Sequence, residues 1–145
     1  NYKIISKLYE ASNAGVKIEM IIRGVCCLIP GVKDMSENIE VISVVDKYLE
    51  HPRIYIFENA GKPKIYISSA DWMTRNFENR IEVTCPIYDT NLQNQILDTF
   101  DISWSDNVKS RFINELKGKN KRKKNIINTR SQFETYRYFK NLLPK

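Results

Sequence analysis

The sequence predicts an α/β domain, and three observations carry that expectation. Apolar runs of strand length recur through the first two thirds of the chain, as in VKIEMII and IEVISV. Segments with helical spacing stand near both ends and again after residue 90. No short-period repeat interrupts this alternation.

Taken in order, Lys3 to Ala14 places Ile4, Ile5, Leu8, Tyr9 and Ala11 at helical spacing, with Gly15 as the stop. Val16 to Ile22 follows as a buried strand that runs into Arg23. Pro30-Gly31 marks a turn, and Ser36 is an N-cap or loop residue before a strand from Ile39 to Val44. Val45 to Glu50 suits a short helix. Arg53 to Phe57 and Lys64 to Ile67 form a hairpin through ENAGKP. Arg80 to Cys85 reads as a further strand, stopped by Pro86. Thr90 to Phe100 is an amphipathic helix with Leu92, Ile96, Leu97 and Phe100 on one face. Val108 to Leu116 fits a strand or a short helix. Ser131 to Leu143 closes the series as a helix turning Phe133, Tyr136, Phe139, Leu142 and Leu143 inward.

At 145 residues the chain is long enough for one core that buries about 70 % of the unfolded surface. Its start at Asn1, leading straight into a helical pattern, suggests a piece of a longer polypeptide. No apolar stretch approaches the roughly 18 residues of a membrane span. The formal charge of +6 is concentrated in one loop, LKGKNKRKKN. Six of the 23 basic residues lie there; the other 17 face 17 acidic ones. That distribution argues against a nucleic-acid partner. It favours a solvated connection, with attraction to a polyanion or an acidic membrane surface as the alternative. Cys26, Cys27 and Cys85 form no disulfide framework and lack zinc-ligand spacing, so they read as reduced core or subsurface residues of a cytoplasmic protein.

Chemistry concentrates in three places. Arg23 stands at the mouth of an apolar strand, before Gly24, where a guanidinium can bind phosphate in bidentate fashion. His51, the only histidine, is held extended by Pro52 and shares a strand face with Arg53. The turn Ser68-Ser69-Ala70-Asp71-Trp72 offers hydroxyl and backbone donors, and Arg75 and Arg80 follow it. The ordinary alternatives are a surface ion pair for Arg23, a structural histidine, and a polar turn anchored by Trp72. Glycine-rich phosphate loops are absent, and one histidine is too few for a two-histidine phosphotransfer centre.

The strings IIRGVCCLIPGV, SENIEVISVVDKYLEHPRIYIF and ISSADWMTRNFENRIEVTCPI together resemble the C-terminal domain of polyphosphate kinase. Ile29, Thr74 and Asn79 depart from residues common in that family. The resemblance implies that residues 1–145 are the C-terminal catalytic domain of a larger chain, with a phospholipase D-like fold of a mixed sheet flanked by helices. It implies reversible transfer of the ATP terminal phosphate to polyphosphate through a phosphohistidine in the preceding domain. By motif match it assigns His51 as the second active-site histidine and Arg23 as a nucleotide-phosphate ligand; Arg53, Ser69 and Arg75 stand beside them as phosphate-binding candidates from the reading of the residues themselves. Magnesium is expected mainly on the preceding domain, with no metal ligand in this chain. The expected partners are ATP or ADP, polyphosphate, the remaining domains and further copies in a homo-oligomer. The isolated chain is expected to be inactive and cytoplasmic, with a peripheral membrane location as a variant.

Two other readings compete. A phospholipase D-like phosphodiesterase or nuclease half-site would also use His51. Arg53 stands there in place of lysine, however, and Asp71 in place of an amide. A polyanion-binding module would rest on the basic loop alone.

Overall fold

The computed structural model describes residues 1–113, 121–122 and 127–143. Its elements run α1 (Tyr2–Asn13), β1 (Ile18–Ile21), β2 (Ile39–Val44), β3 (Ile54–Phe57), β4 (Lys64–Ser68), α2 (Thr74–Glu78), β5 (Thr84–Ile87), α3 (Thr90–Trp104), β6 (Ser110–Phe112), β7 (Lys121–Arg122) and α4 (Ser131–Leu142). The chain divides into two compact units. One comprises Asn1–Ile4 and Glu50–Asp98, the other Ile5–Leu49 and Thr99–Lys145.

The second unit holds a mixed sheet in the order β1-β2-β6-β7. β1 and β2 pair in parallel, Ile18 opposite Ile39, and β2 and β6 pair antiparallel, Ile42 opposite Phe112. A strand between two neighbours has its backbone groups paired on both edges, which suits the apolar run IEVISV. Ile39, Val41 and Ile42 are at most 3 % exposed. Ile39 and Val41 join Leu28 in a core against which Ile5, Leu8 and Tyr9 of α1 pack. Those three positions recur every three to four residues, so one helix stripe meets one strand face. Gly15, at φ +87°, ends the helix in the left-handed region. Ser36 is a loop residue: its hydroxyl donates to the Ile29 carbonyl at 2.7 Å and accepts the Val32 N–H at 3.0 Å.

The first unit holds an antiparallel sheet, β3-β4-β5. The β3–β4 hairpin pairs Ile54 with Ile67 and turns through Asn59, Ala60 and Gly61, all at positive φ. Ile65, 1 % exposed, fills the centre of the sheet.

Several sequence expectations need correction. Residues 45–50 are not helical but form an irregular strap that bends at Lys47 and Tyr48. Gln132 at the start of α4 takes both backbone groups of Tyr48: its Oε1 accepts the N–H at 3.0 Å and its Nε2 donates to the carbonyl at 2.8 Å. Arg130 adds a bidentate pair to the buried Asp46, at 2.6 and 2.7 Å. Backbone groups used this way cannot close a helical turn. Pro86 does not end a strand but lies within β5, opposite Tyr66. As β5 is an edge strand, the missing N–H costs no ladder bond. The segment 80–83 is irregular, and the short helix α2 had no counterpart in the sequence reading.

The β6 strand settles residues 110–112, while 114–120 and 123–126, with most of the basic loop, fall outside the described residues. The stripe expected to face inward on α4 is open: Phe133 is 38 % exposed and Tyr136 65 %. Its buried residues are instead Ser131 and Gln132. Leu92 on α3 is likewise half exposed, and Cys27 and Cys85 lie at the surface rather than in the core. No helix among the described residues is long and apolar enough to cross a membrane.

Candidate functional site

The β3–β4 hairpin builds the site at its open end. Because the strands are antiparallel, the entry to β3 lies beside the exit of β4, and the Ser68 N–H donates to the Arg53 carbonyl at 2.9 Å. The turn after β4 therefore returns over residues 51–53. Tyr55 fixes that turn: its hydroxyl donates to the Ala70 carbonyl at 2.8 Å, and its ring stacks on Trp72 at 5.1 Å. Ser68 Oγ accepts the Ala70 N–H at 3.1 Å. Trp72 thus anchors the turn by packing, as the structural alternative supposed.

Three side chains meet there. Arg53 Nε donates to Asp71 Oδ1 at 2.7 Å, and Arg53 Nη2 donates to His51 Nε2 at 2.8 Å. His51 Nε2 lies 3.9 Å from Asp71 Oδ1. A guanidinium has no acceptor, so Nε2 of His51 is the acceptor in this contact. The hydrogen bond from Arg53 holds the Asp71 carboxyl below its ordinary range against some burial, helped by the charges of Arg53 and Arg75. Asp71 in turn raises the Arg53 pKa. The histidine side chain is 55 % exposed while those of Arg53 and Asp71 are 21 % and 28 %. The ring is open to a ligand; the two groups behind it are shielded.

A second carboxylate organises the far side of the turn. Glu82 accepts hydrogen bonds from Ser69 Oγ and, at 2.6 Å, from Asn76 Nδ2. Ser69 Oγ also accepts the Val83 N–H at 3.0 Å, and its own N–H donates to the Val83 carbonyl. The hydrogen bonds from Ser69 and Asn76 lower the Glu82 pKa, with Arg80 and Arg53 adding to them. Asn76 is 4 % exposed, and its Oδ1 has no hydrogen-bond partner among the described residues. Ser69 is thus held by Glu82 and Val83, and Arg75 is exposed on α2 and acts on Asp71 through its charge.

Arg23 belongs to the other unit. It follows the end of β1, where the Ile22 N–H still pairs with the Ile42 carbonyl at 2.8 Å. Its side chain is exposed, and a Cβ at neighbouring Gly24 would meet open space. The structure thus brings together His51, Arg53 and the turn bearing Ser69, and sets Arg23 at a strand mouth. Sequence reasoning missed Asp71 as the partner of Arg53, and missed Glu82 with its donors Ser69 and Asn76. An acid near the end of a hairpin whose other strand opens with His-x-Arg was the available signal.

Among the described residues no group of three or more His, Cys, Asp and Glu side chains is placed to hold a metal ion. Asp71 and Glu82 direct their oxygens to Arg53, Ser69 and Asn76, a donor set that suits hydrogen bonding rather than cation binding.

Residues 1–134 match the family model described as polyphosphate kinase C-terminal domain 2. A polyphosphate kinase of Vibrio parahaemolyticus is 51 % identical over 140 residues, which are 96 % of this chain and 20 % of that protein. One from Escherichia coli is 48 % identical over the same span. The crystal structure of polyphosphate kinase from Porphyromonas gingivalis superposes with a TM-score of 0.94 at 45 % identity, over 98 % of this chain and 22 % of that one. This chain therefore spans about a fifth of the length of the relatives it matches. The α/β fold is of the phospholipase D-like class, and the chain belongs to the polyphosphate kinase C-terminal domain 2 family.

Proposed function

We propose that this chain supplies part of the active site for reversible transfer of the ATP terminal phosphate to polyphosphate. The observation that carries the reading is His51, an exposed ring hydrogen-bonded from behind by Arg53, which Asp71 in turn holds, in a chain of this family. In this reading the phosphate acceptor is a histidine of a preceding domain, as the family resemblance implies, and His51, the one histidine here, is the second. In the forward half-reaction the bond from the terminal phosphorus to the β,γ-bridging oxygen breaks. A nitrogen–phosphorus bond forms on that histidine, and ADP leaves with the bonding pair. The phosphoryl group then passes to the end of a polyphosphate chain, and both steps run backwards to make ATP. Magnesium accompanies the nucleotide and is held by residues outside this chain.

The leaving group fixes what His51 does. The terminal phosphate of ADP is a weak base, so a proton donor gains little there. A fixed hydrogen-bond donor facing the charge on the transferring group gains more. His51 has that role, and Arg23 neutralises phosphate oxygens of the nucleotide. Arg75 and Ser69 complete the polar lining, Ser69 through its backbone turn.

With the chain joined to a preceding family domain, polyphosphate synthesis from ATP and magnesium should vanish on His51→Ala while the circular dichroism spectrum is retained. Near-normal synthesis would remove His51 from the site. Arg23→Ala should raise the KM for ATP by about 10-fold or more, the worth of one charge-assisted phosphate contact. Loss of thermal stability without that change would make Arg23 structural.

A further inference from the structure

We propose that Asp71 is a positioning residue that sets the tautomer of His51 through Arg53, so that His51 meets a phosphoryl oxygen with its Nδ1–H. The role given to the phosphoryl oxygen rests on the function proposed above; the tautomer itself does not.

The argument begins with an excess of donors. Arg53 can only donate, and its Nη2 lies 2.8 Å from His51 Nε2. A proton on Nε2 would place two donors face to face, so the proton of the neutral ring sits on Nδ1. Unconstrained histidine in water favours the opposite form, with the proton on Nε2. Something must therefore hold the guanidinium against the ring, and Asp71 does so at 2.7 Å from Nε. The backbone supports the same geometry. Arg53 is tied to Ser68 across the hairpin, and Tyr55 ties the turn carrying Asp71 at Ala70. The charged groups facing the ring are thus Arg53 and Asp71, one of each sign. Together they orient it without adding net charge behind it.

This arrangement gives Arg53 a different task from the phosphate ligation its charge suggests. Its Nε and Nη2 point at Asp71 and His51, and its side chain is the most shielded of the three. It acts on the substrate through His51. An Nδ1–H donor has no lone pair to offer, which suits a ring that stabilises charge on an incoming phosphoryl group and does not become phosphorylated there.

The single histidine makes the test direct. In this chain labelled with ¹⁵N-histidine, every imidazole signal belongs to His51. Above the titration of the ring, the wild type should show a pyrrole-like Nδ1 and a pyridine-like Nε2. Asp71→Asn should move the population toward the opposite tautomer, and Asp71→Glu should restore it in part. A wild-type ring protonated on Nε2 overturns the proposal, and so does an Asp71→Asn ring unchanged from wild type. Should Asp71→Asn fail to give a dispersed amide spectrum, Arg53→Gln replaces it, with the same expected movement and the same overturning result. In the chain joined to a preceding domain, Asp71→Asn should lower kcat about 10- to 100-fold with KM for ATP within about twofold. A raised KM at unchanged kcat would instead make Asp71 a binding residue. Because the tautomer is read without turnover, an inactive wild type would count against the proposed function alone.

Discussion

Asp106 is the most demanding single residue in the structure. It is fully buried, yet its Oδ1 accepts the N–H groups of Val108, Lys109 and Ser110 at 2.7–3.0 Å, and its Oδ2 accepts that of Ser131 at 2.7 Å. Burial by itself would push its pKa up; the hydrogen bonds from Ser131, Lys109 and Ser110 outweigh that and hold it below the ordinary carboxylate range. A folded-state pKa below the unfolded one contributes stability above the unfolded value, about 3.9, and loses it as pH falls through the folded value. Acid unfolding should therefore steepen below about pH 4, and Asp106→Asn should flatten that dependence in thermal melts recorded from pH 3 to 7. Asp106→Ala strands four backbone donors and should cost about 2–4 kcal/mol in urea unfolding. At this scale the sequence announced His51 and Arg53 by their spacing. Three donors to Asp106 lie only two to four residues on, a local turn pattern that sequence reasoning overlooked; the distant donors, Ser131 to Asp106 and Ser69 to Glu82, are set by the fold and leave no local signal.

Among the elements, the strap before His51 shows how side chains can replace a ladder. Gln132 pairs with both backbone groups of Tyr48, so the Tyr48 ring, 58 % exposed, is incidental. Gln132→Ala should cost about 1–2 kcal/mol, whereas Tyr48→Ala should change stability by less than about 0.5 kcal/mol in the same assay. The contrast explains where local reading worked. β2 spans the predicted residues and α1 differs by one at each end, since an apolar run between two partners and an amphipathic stripe against a core are local patterns. The helix expected over 45–50 failed because its competitor stands 84 residues away. The β5 limits shifted because an edge position, which tolerates proline, is a property of the sheet and not of the strand.

The whole molecule carries two sheets in two units, and their centres offer separate handles. Ile42 in β2 is 0 % exposed and Ile65 in β4 is 1 %. Each change to alanine should cost about 2–5 kcal/mol. Amide exchange should rise first in β1, β2 and β6 for Ile42→Ala, and in β3, β4 and β5 for Ile65→Ala. Equal acceleration in both sheets would show that the units open as one. The α/β class and its mixed sheet were legible in the order of apolar runs. The division into units was not, because it depends on β6 returning to β2 across the whole of residues 50–98.

That return has a consequence for synthesis. β2 finds β1 at once, but its other edge is completed by Ser110–Phe112, made about 65 residues after Val44. At about 5–20 residues per second, a ribosome leaves that apolar edge unpaired for roughly 3–13 seconds. Meanwhile the β3–β5 sheet, coded by one continuous stretch, can form behind it. Chaperone demand should therefore be concentrated in the interval between these two strands, and synonymous codons that lengthen it should lower the soluble yield.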